Sequence, residues 1–184
     1  MNLSSLLCGS QAFRARLEQH RTSLFRLAYA WSHDRALADD LTQEALAKGL
    51  EHADQLRDIE RLRSWLFGIL ANCWRDHLRA LRPSLDIDSV AEECLPACHE
   101  TPDVAYGRAQ TVALIRDAIG RLPVGQRQVV TLIDLEELSY AEVAAILAIP
   151  IGTVMSRLCR ARIALREQLW QSDAAQPHRL RSAK

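Results

Sequence analysis

Hydrophobic residues recur along the N-terminal part of the chain at the spacing of α-helices. The first apolar stripe, residues 13–31, steps by four, three, four, three and four residues, which predicts one helix over about 10–31. Residues 32–34 interrupt the pattern and offer a cap for a second helix over about 35–53. A third stripe predicts a helix over about 60–81. The inward positions are Phe13, Leu17, His20, Leu24, Leu27 and Trp31, then Leu37, Leu41, Ala45 or Leu46 and Leu50, and finally Leu62, Leu66, Ile69, Cys73 and Leu81.

The segment 138–169 predicts two helices joined by a tight turn. Ser139 with Glu142 three residues later is a capping box, and Pro150 ends the first helix. Thr153 is the predicted cap of the second helix. The residues predicted to be buried in that second helix are Val154, Leu158, Ala161 and Leu165. A short helix packed on a longer one, with Ser and Arg on the outer face, predicts a helix-turn-helix whose second helix enters a DNA major groove. The alternative is a plain helical hairpin whose arginines face solvent.

Two further helices are predicted before this segment, from Thr101-Pro102 to about Leu122 and over 126–136, with Val112, Ile115, Ile119, Val129, Val130 and Ile133 as their apolar positions. The stretch 83–105 contains six acidic residues and no Lys or Arg. We therefore predict an all-α protein of two small helical domains, 10–82 and 102–170, on a flexible acidic linker, 83–101. Residues 171–184 form a basic tail that we expect to be disordered.

Composition adds little to the choice of partner, because 23 basic residues balance 23 acidic ones. All but two of the basic residues are Arg, which favours bidentate contacts to phosphate, base edges or carboxylates. We expect no membrane span, since no run of about 18 apolar residues occurs, and no signal peptide; the cytoplasm is the default location.

The chain offers no plausible catalytic constellation, so we expect neither an enzyme nor a cofactor. Cys94, Cys98 and His99 lie inside the acidic linker and supply three metal ligands with no second pair. They are more simply incidental, and whether they sense metal or redox state stays open; no metal site is predicted.

The residues Ala-Ile-Pro-Ile-Gly-Thr-Val-x-Ser-Arg-Leu-x-Arg-Ala-Arg, 148–162, closely resemble the promoter-reading end of bacterial sigma factors of the extracytoplasmic-function (ECF) group. The resemblance implies that the outer face of this helix reads the −35 element. The residues it implicates are Thr153, Met155, Ser156, Arg157, Cys159 and Arg160. The family usually has Lys or Arg at Met155 and Gly at Ala148, so this chain departs from the pattern at both positions.

The segment Asp-Asp-Leu-x-Gln-Glu, 39–44, is similar to the part of these sigma factors that binds the coiled coil of the RNA polymerase β′ subunit. The resemblance makes Asp40, Gln43 and Glu44 core-binding residues. An acidic patch that meets a basic partner would favour specificity and a fast on-rate. An ordinary solvated helix face remains the alternative.

The third predicted helix interleaves aromatic residues with Arg, the composition that grips unpaired nucleic acid. Its segment Ser-Trp-Leu-Phe-x-Ile-x-x-Asn, 64–72, resembles the part of the family that melts the −10 element and holds a flipped base. The residues proposed for this task are Trp65, Asn72, Trp74, Arg75 and Arg79. Core positions are the alternative for Trp65 and Trp74, and Gly68 stands where the family commonly has a basic residue.

Both resemblances occur in the family's order, which implies an ECF-type sigma factor that binds core RNA polymerase, recognises the promoter and opens the duplex to start transcription. The implied partners are core polymerase, through its β′ coiled coil and β flap, promoter DNA and an anti-sigma factor. Two alternative functions are a polymerase-independent helix-turn-helix regulator and a sigma mimic that sequesters an anti-sigma factor.

Overall fold

The computed structural model describes residues 11–81 and 108–174, and every regular element within these residues is helical. We call residues 11–81 the N-terminal half and residues 108–174 the C-terminal half. Their helices are α1 Gln11–Gln19, α2 Arg21–Ser32, α3 Arg35–Glu51, α4 Leu62–Leu81, α5 Arg108–Gly120, α6 Val124–Val130, α7 Tyr140–Leu147 and α8 Ile151–Ala174.

The single helix predicted over 10–31 is two helices that meet at His20. The backbone of His20 stays in the right-handed helical region (φ −90°, ψ −4°), but its N–H bonds to Leu17 O over 3.0 Å, three residues back instead of four. Phe13 and Leu24 are both buried, so the apolar stripe continues across the bend. Periodicity alone therefore could not reveal the break.

Helices α2, α3 and α4 form the core of the N-terminal half. Asp34 caps α3 as predicted, because its carboxylate accepts from the N–H groups of Ala36 and Leu37 at 2.8 and 3.2 Å. The prediction that Leu81 points inward is wrong: the side chain is 61% exposed. It ends α4 one turn beyond Leu78, the last side chain of that helix in the core.

In the C-terminal half, the helix predicted over 126–136 begins earlier and changes form. Helix α6 starts at Val124, and a π-type turn follows over Thr131–Leu135. The N–H of Glu136 bonds to Thr131 O, five residues back, over 3.2 Å. The Thr131 hydroxyl donates to Arg127 O over 2.8 Å, which adds a competing partner where the helix widens.

The helix-turn-helix consists of α7 and α8. The capping box of Ser139 and Glu142 is present, and Ala148 takes the left-handed conformation, with φ 54°. The predicted cap at Thr153 is wrong because α8 begins at Ile151, and the Thr153 N–H bonds to Pro150 O over 2.9 Å. Three of the four predicted inward residues of α8 are buried, Val154, Leu158 and Ala161; Leu165 is half-buried.

The two halves pack directly against each other. Helix α2 lies against α5, α6 and the π-type turn, and α4 lies against α7. Buried residues of both halves belong to one hydrophobic cluster. The surfaces predicted for the two promoter elements therefore sit on one continuous body.

Several predictions fall outside the described residues: the acidic linker 83–101 with Cys94, Cys98 and His99, the helix start at Thr101-Pro102, and the tail beyond 174. Within the described ranges, no single helix has both the length and the apolar composition of a membrane span. Only the bent pair α7 and α8 passes when its two arms are taken together.

Candidate nucleic-acid interface

The outer face of α8 presents most of the residues predicted for the −35 element. Met155 is 52% exposed, and Ser156, Cys159 and Arg160 are exposed beside it. The Ser156 hydroxyl donates to Thr153 O over 3.1 Å, and Arg160 Nε lies 3.4 Å from Ser156 O. These bonds run along the helix, so the face combines one guanidinium with small polar and apolar groups.

Arg157 differs from these residues because it is half-buried. A Cβ placed on Gly125 would lie 3.0 Å from its guanidinium carbon, so Arg157 packs against the start of α6. Thr153 is also half-buried. The six predicted −35 residues thus separate into an exposed group of four and two that border the core.

Arg162, next along α8, forms an ion pair with Asp134 of the π-type turn, with N and O atoms 2.6 Å apart. The hydrogen bond from Arg162 to that carboxylate raises the pKa of the guanidinium. Both side chains are partly exposed, so the pair adds little stability. The pair draws the Arg162 guanidinium toward the turn.

Asn72 and Arg75 form the centre of the surface predicted for the −10 element. Asn72 is exposed and Arg75 half-buried on the same side of α4, and Arg75 Nη1 donates to Asn72 Oδ1 over 2.9 Å. Arg79 continues this row one turn later and is exposed, 3.5 Å from Asp76. Trp65 is half-buried, which leaves part of its ring available for stacking.

Trp74 requires a correction, since the side chain is only 2% exposed and belongs to the core. It follows Leu70 by four residues and precedes Leu78 by four, so it shares their inward face of α4. Phe67, one more turn back on this face, is also fully buried. We remove Trp74 from the candidate DNA surface and keep Trp65.

A cleft of about 1190 Å³ opens beside Trp65 and Asn72. Its N-terminal-half lining includes four groups able to carry positive charge, which are Lys48, His52, Arg57 and Arg61. The opposite wall of the cleft is formed by Ala141 and Ala145 of α7 and by Ala148, which directly follows α7. Two carboxylates also line the cleft, Asp58 beside Arg61 and Glu142 on α7, so its charge is mixed. The ring and the amide suit an unpaired base.

Asp40, Gln43 and Glu44 are all exposed on one side of α3. Glu44 also pairs with Lys48 one turn later, with N and O atoms 2.7 Å apart, and this hydrogen bond raises the pKa of Lys48. Because Lys48 partly neutralises the charge of Glu44, Asp40 and Gln43 are more available than Glu44 for contact with a partner protein.

Comparison with known proteins agrees with this geometry. The family description "Sigma-70 region 2" matches residues 17–83, and "Sigma-70, region 4" matches residues 113–165. RNA polymerase sigma-H factor of Pseudomonas aeruginosa is 32% identical over 168 residues, which cover 86% of each chain. The ECF sigma factor SigW of Bacillus subtilis is 30% identical over 86% of this chain and 89% of its own. The chain belongs to the ECF sigma factors of the sigma-70 family.

Solved structures of sigma factors have the same fold. The sigma factor RpoE, crystallised with the anti-sigma factor NepR from Bartonella quintana, matches with a TM-score of 0.72 and 28% identity, over 87% of this chain and 98% of that one. CnrH, in complex with the cytosolic domain of CnrY, matches with a TM-score of 0.64 and 24% identity, over 93% and 96%. The all-α, two-part fold is therefore confirmed, and a role in transcription initiation is established with the family. Neither rival interpretation is favoured.

Sequence reasoning missed the polar contacts between the two halves of this sigma factor. Glu136, at the end of the π-type turn, is 1% exposed. One carboxylate oxygen accepts from Arg26 over 3.0 Å, and the other accepts from Arg63, which also donates to the Glu136 carbonyl. Arg127 is 2% exposed and donates to the carbonyl of Trp31 in the other half. The partners are 73 to 110 residues apart in sequence, so no local pattern could pair them.

Proposed function

We propose that this sigma factor binds core RNA polymerase through the exposed patch of Asp40, Gln43 and Glu44 on α3. The support is that these three residues match the family's core-binding motif and that all three side chains are exposed on one side of a helix. A carboxylate-rich patch steers association with a basic partner surface and is screened by salt. Contacts to the β′ coiled coil and the β flap belong to this proposal.

We further assign −35 recognition to the outer face of α8. Arg160 is the strongest candidate for a bidentate contact to a guanine edge, and Met155 can touch a thymine methyl group. Ser156 and Cys159 lie between these two. Thr153 and Arg157 would act at the edge of the surface, near the N-terminal end of α8, which favours a phosphate.

Recognition and opening of the −10 element is assigned to Trp65, Asn72, Arg75 and Arg79. The proposal is supported by the cleft beside α4, whose lining combines the partly exposed indole of Trp65, the amide of Asn72 and side chains of both charges. Each stacked base contributes about 1–3 kcal/mol. The protein acts by binding rather than by bond chemistry, and it works in the cytoplasm, where core polymerase is found.

An anti-sigma factor is a proposed third partner. The two sigma factors with similar structures are described as complexes, one with the anti-sigma factor NepR and the other with the cytosolic domain of CnrY. We propose that a protein of this kind regulates the present chain as well.

We also propose that the two domains extend over residues 10–82 and 102–170.

Run-off transcription with purified core polymerase tests the proposal. A promoter-specific transcript should appear only when core and this protein are both present. Asp40→Arg should abolish both the transcript and co-elution with core, because it places a cation against a basic surface. Glu51→Arg is the matched control, since it makes the same charge change at an exposed site on α3, about 16 Å away along the helix. Equal loss in both variants would overturn the assignment of the patch.

A further inference from the structure

Lys48 lies between the two surfaces that the proposed function assigns to the N-terminal half. Asp40, Glu44 and Lys48 follow one another at intervals of four residues on α3, so each lies one turn beyond the last on the same side of the helix. Lys48 Nζ is 2.7 Å from Glu44 Oε1, and the exposed fractions of the two side chains are 36% and 47%. The core-binding patch (Asp40, Gln43 and Glu44) is therefore paired at one end with a cation that does not belong to it.

Lys48 also lines the cleft that contains Trp65 and Asn72. The next residue of α3, Gly49, packs against the indole, since a Cβ placed on Gly49 would lie 3.8 Å from Trp65 Cζ3. Single strands bind where aromatic rings stack on bases and cationic side chains meet the phosphates. Lys48 thus brings an ammonium group to the cleft in which Trp65 is proposed to stack.

In the free protein the charge of Lys48 is compensated by Glu44. Burial raises the pKa of the neighbouring Cys73 to about 11, so this thiol is neutral and Glu44 supplies the negative charge beside the ammonium group. Both members of the pair are partly exposed, and pairs of this kind are weak and readily exchange partners. A basic polymerase surface that takes up the Glu44 carboxylate would therefore release Lys48.

We propose that Lys48 is a further contact of the −10 strand, and that Glu44 withholds it until core polymerase binds. The inference rests on the proposed functions of the cleft and of the core-binding patch. With polymerase on Glu44, the ammonium group is free to bind a phosphate of the unpaired strand. Linkage makes the effect reciprocal, because a strand that holds Lys48 leaves Glu44 unpaired and ready for polymerase.

The contact is tested in the holoenzyme, by titrating the single-stranded −10 region of the promoter that supports run-off transcription. Loss of one phosphate contact should make the slope of log affinity against log salt shallower by about 0.7 for a single strand. We expect this change for Lys48→Gln. Arg35→Gln is the matched control, since it removes an exposed cation from the first residue of α3, outside the cleft lining. A slope in Lys48→Gln equal to that of the parent would overturn the contact.

The control by Glu44 is tested with the same oligonucleotide and the protein free of polymerase. Lys48→Gln should bind as the parent does, because Glu44 already compensates the ammonium group. Glu44→Gln should bind more tightly, with a slope steeper by about 0.7, and combining it with Lys48→Gln should restore the parent affinity. Glu51→Gln controls for a general loss of negative charge, since Glu51 is exposed on α3 three residues beyond Lys48. No gain in Glu44→Gln, or an equal gain in Glu51→Gln, would overturn the control by Glu44.

These outcomes are separable from the proposed function. If Trp65→Ala weakens strand binding by the holoenzyme while Lys48→Gln leaves the slope unchanged, the cleft assignment stands and the Lys48 contact fails. If Lys48→Gln changes the slope while Trp65→Ala binds normally, the contact stands and the stacking assignment fails. Co-elution of Asp40→Arg with core reports on the core-binding patch independently of Lys48.

Discussion

The indole N–H of Trp31 donates a hydrogen bond to the hydroxyl of Thr131 over 2.8 Å, and both side chains are fully buried. Trp31 lies in the last turn of α2 in the N-terminal half, and Thr131 begins the π-type turn of the C-terminal half. Thr131 in turn donates to Arg127 O, whose own side chain reaches back to Trp31 O. These three hydrogen bonds form a ring of buried polar groups that connects the two halves.

Replacing Thr131 by Val should destabilise the protein by about 1–3 kcal/mol, because the buried Trp31 N–H would lose its partner. Thr42→Val is the control: Thr42 is equally buried, but its hydroxyl bonds to Ala38 O within its own helix. Urea unfolding of both variants measures the difference. Equal losses of unfolding free energy would mean that the bond across the halves contributes nothing.

Acidification should also weaken the packing between the two halves through His33. Its imidazole lies against α5, since a Cβ on Gly120 would come within 2.7 Å of the ring. Burial and, to a smaller extent, the charge of Arg127 lower the pKa of His33 to about 4, although Asp117 acts in the opposite direction. Because the folded pKa lies below the ordinary 6.5, the stabilisation is complete above pH 6.5 and is lost as the pH falls toward 4.

Small-angle scattering between pH 7.5 and 4.5 measures this effect as a rising radius of gyration. His33→Asn should flatten the profile, and Asn tolerates the left-handed backbone of this position, φ 54°. A residual slope is expected from His20, whose pKa is lowered by burial and by Arg63. His77→Asn, at another half-buried histidine, should show the same dependence of the radius of gyration on pH as the parent protein. An identical slope in His33→Asn would contradict the assignment.

Local patterns predicted the helices well and the relationship between the halves not at all. The capping box at Ser139 and Glu142 and the cap at Asp34 depend on residues three or fewer positions apart, so the sequence alone specifies them. The break at His20 was missed because the buried face continues through it. The Glu136 contacts were missed because their partners are 73 and 110 residues away in the chain.

The candidate site was predicted with similar limits. Exposure of Met155, Ser156 and Arg160 follows from the register of one helix. The burial of Trp74 follows from that same kind of register, but the prediction for Trp74 rested on aromatic composition instead. That α7 lies over Asn72 and Arg75 could not be predicted, because it depends on how two separate halves pack.

Arg160→Ala should lower promoter affinity by about 1–3 kcal/mol and relax the base preference at one position of the −35 element. Arg166→Ala is the control, since Arg166 is also exposed on α8 but lies beyond the predicted −35 residues. Selection of promoter sequences by the reconstituted holoenzyme, followed by titration of the selected promoter, measures both effects. An unchanged base preference with weaker binding would reassign Arg160 to a phosphate.

Gly68 is the position where a gain of function is expected. It lines the cleft beside Trp65 and Asn72, and a Cβ built on it meets nothing within 4 Å. Gly68→Ala should stabilise α4 by up to about 1 kcal/mol through helix propensity alone. Gly68→Arg should add to this a contact to the −10 strand, seen as tighter holoenzyme binding to a melted promoter and a salt slope steeper by about 0.7 to 0.9. Comparing the two variants separates charge from propensity, and equal promoter affinities for Ala and Arg would show that the cleft wall at residue 68 does not face DNA.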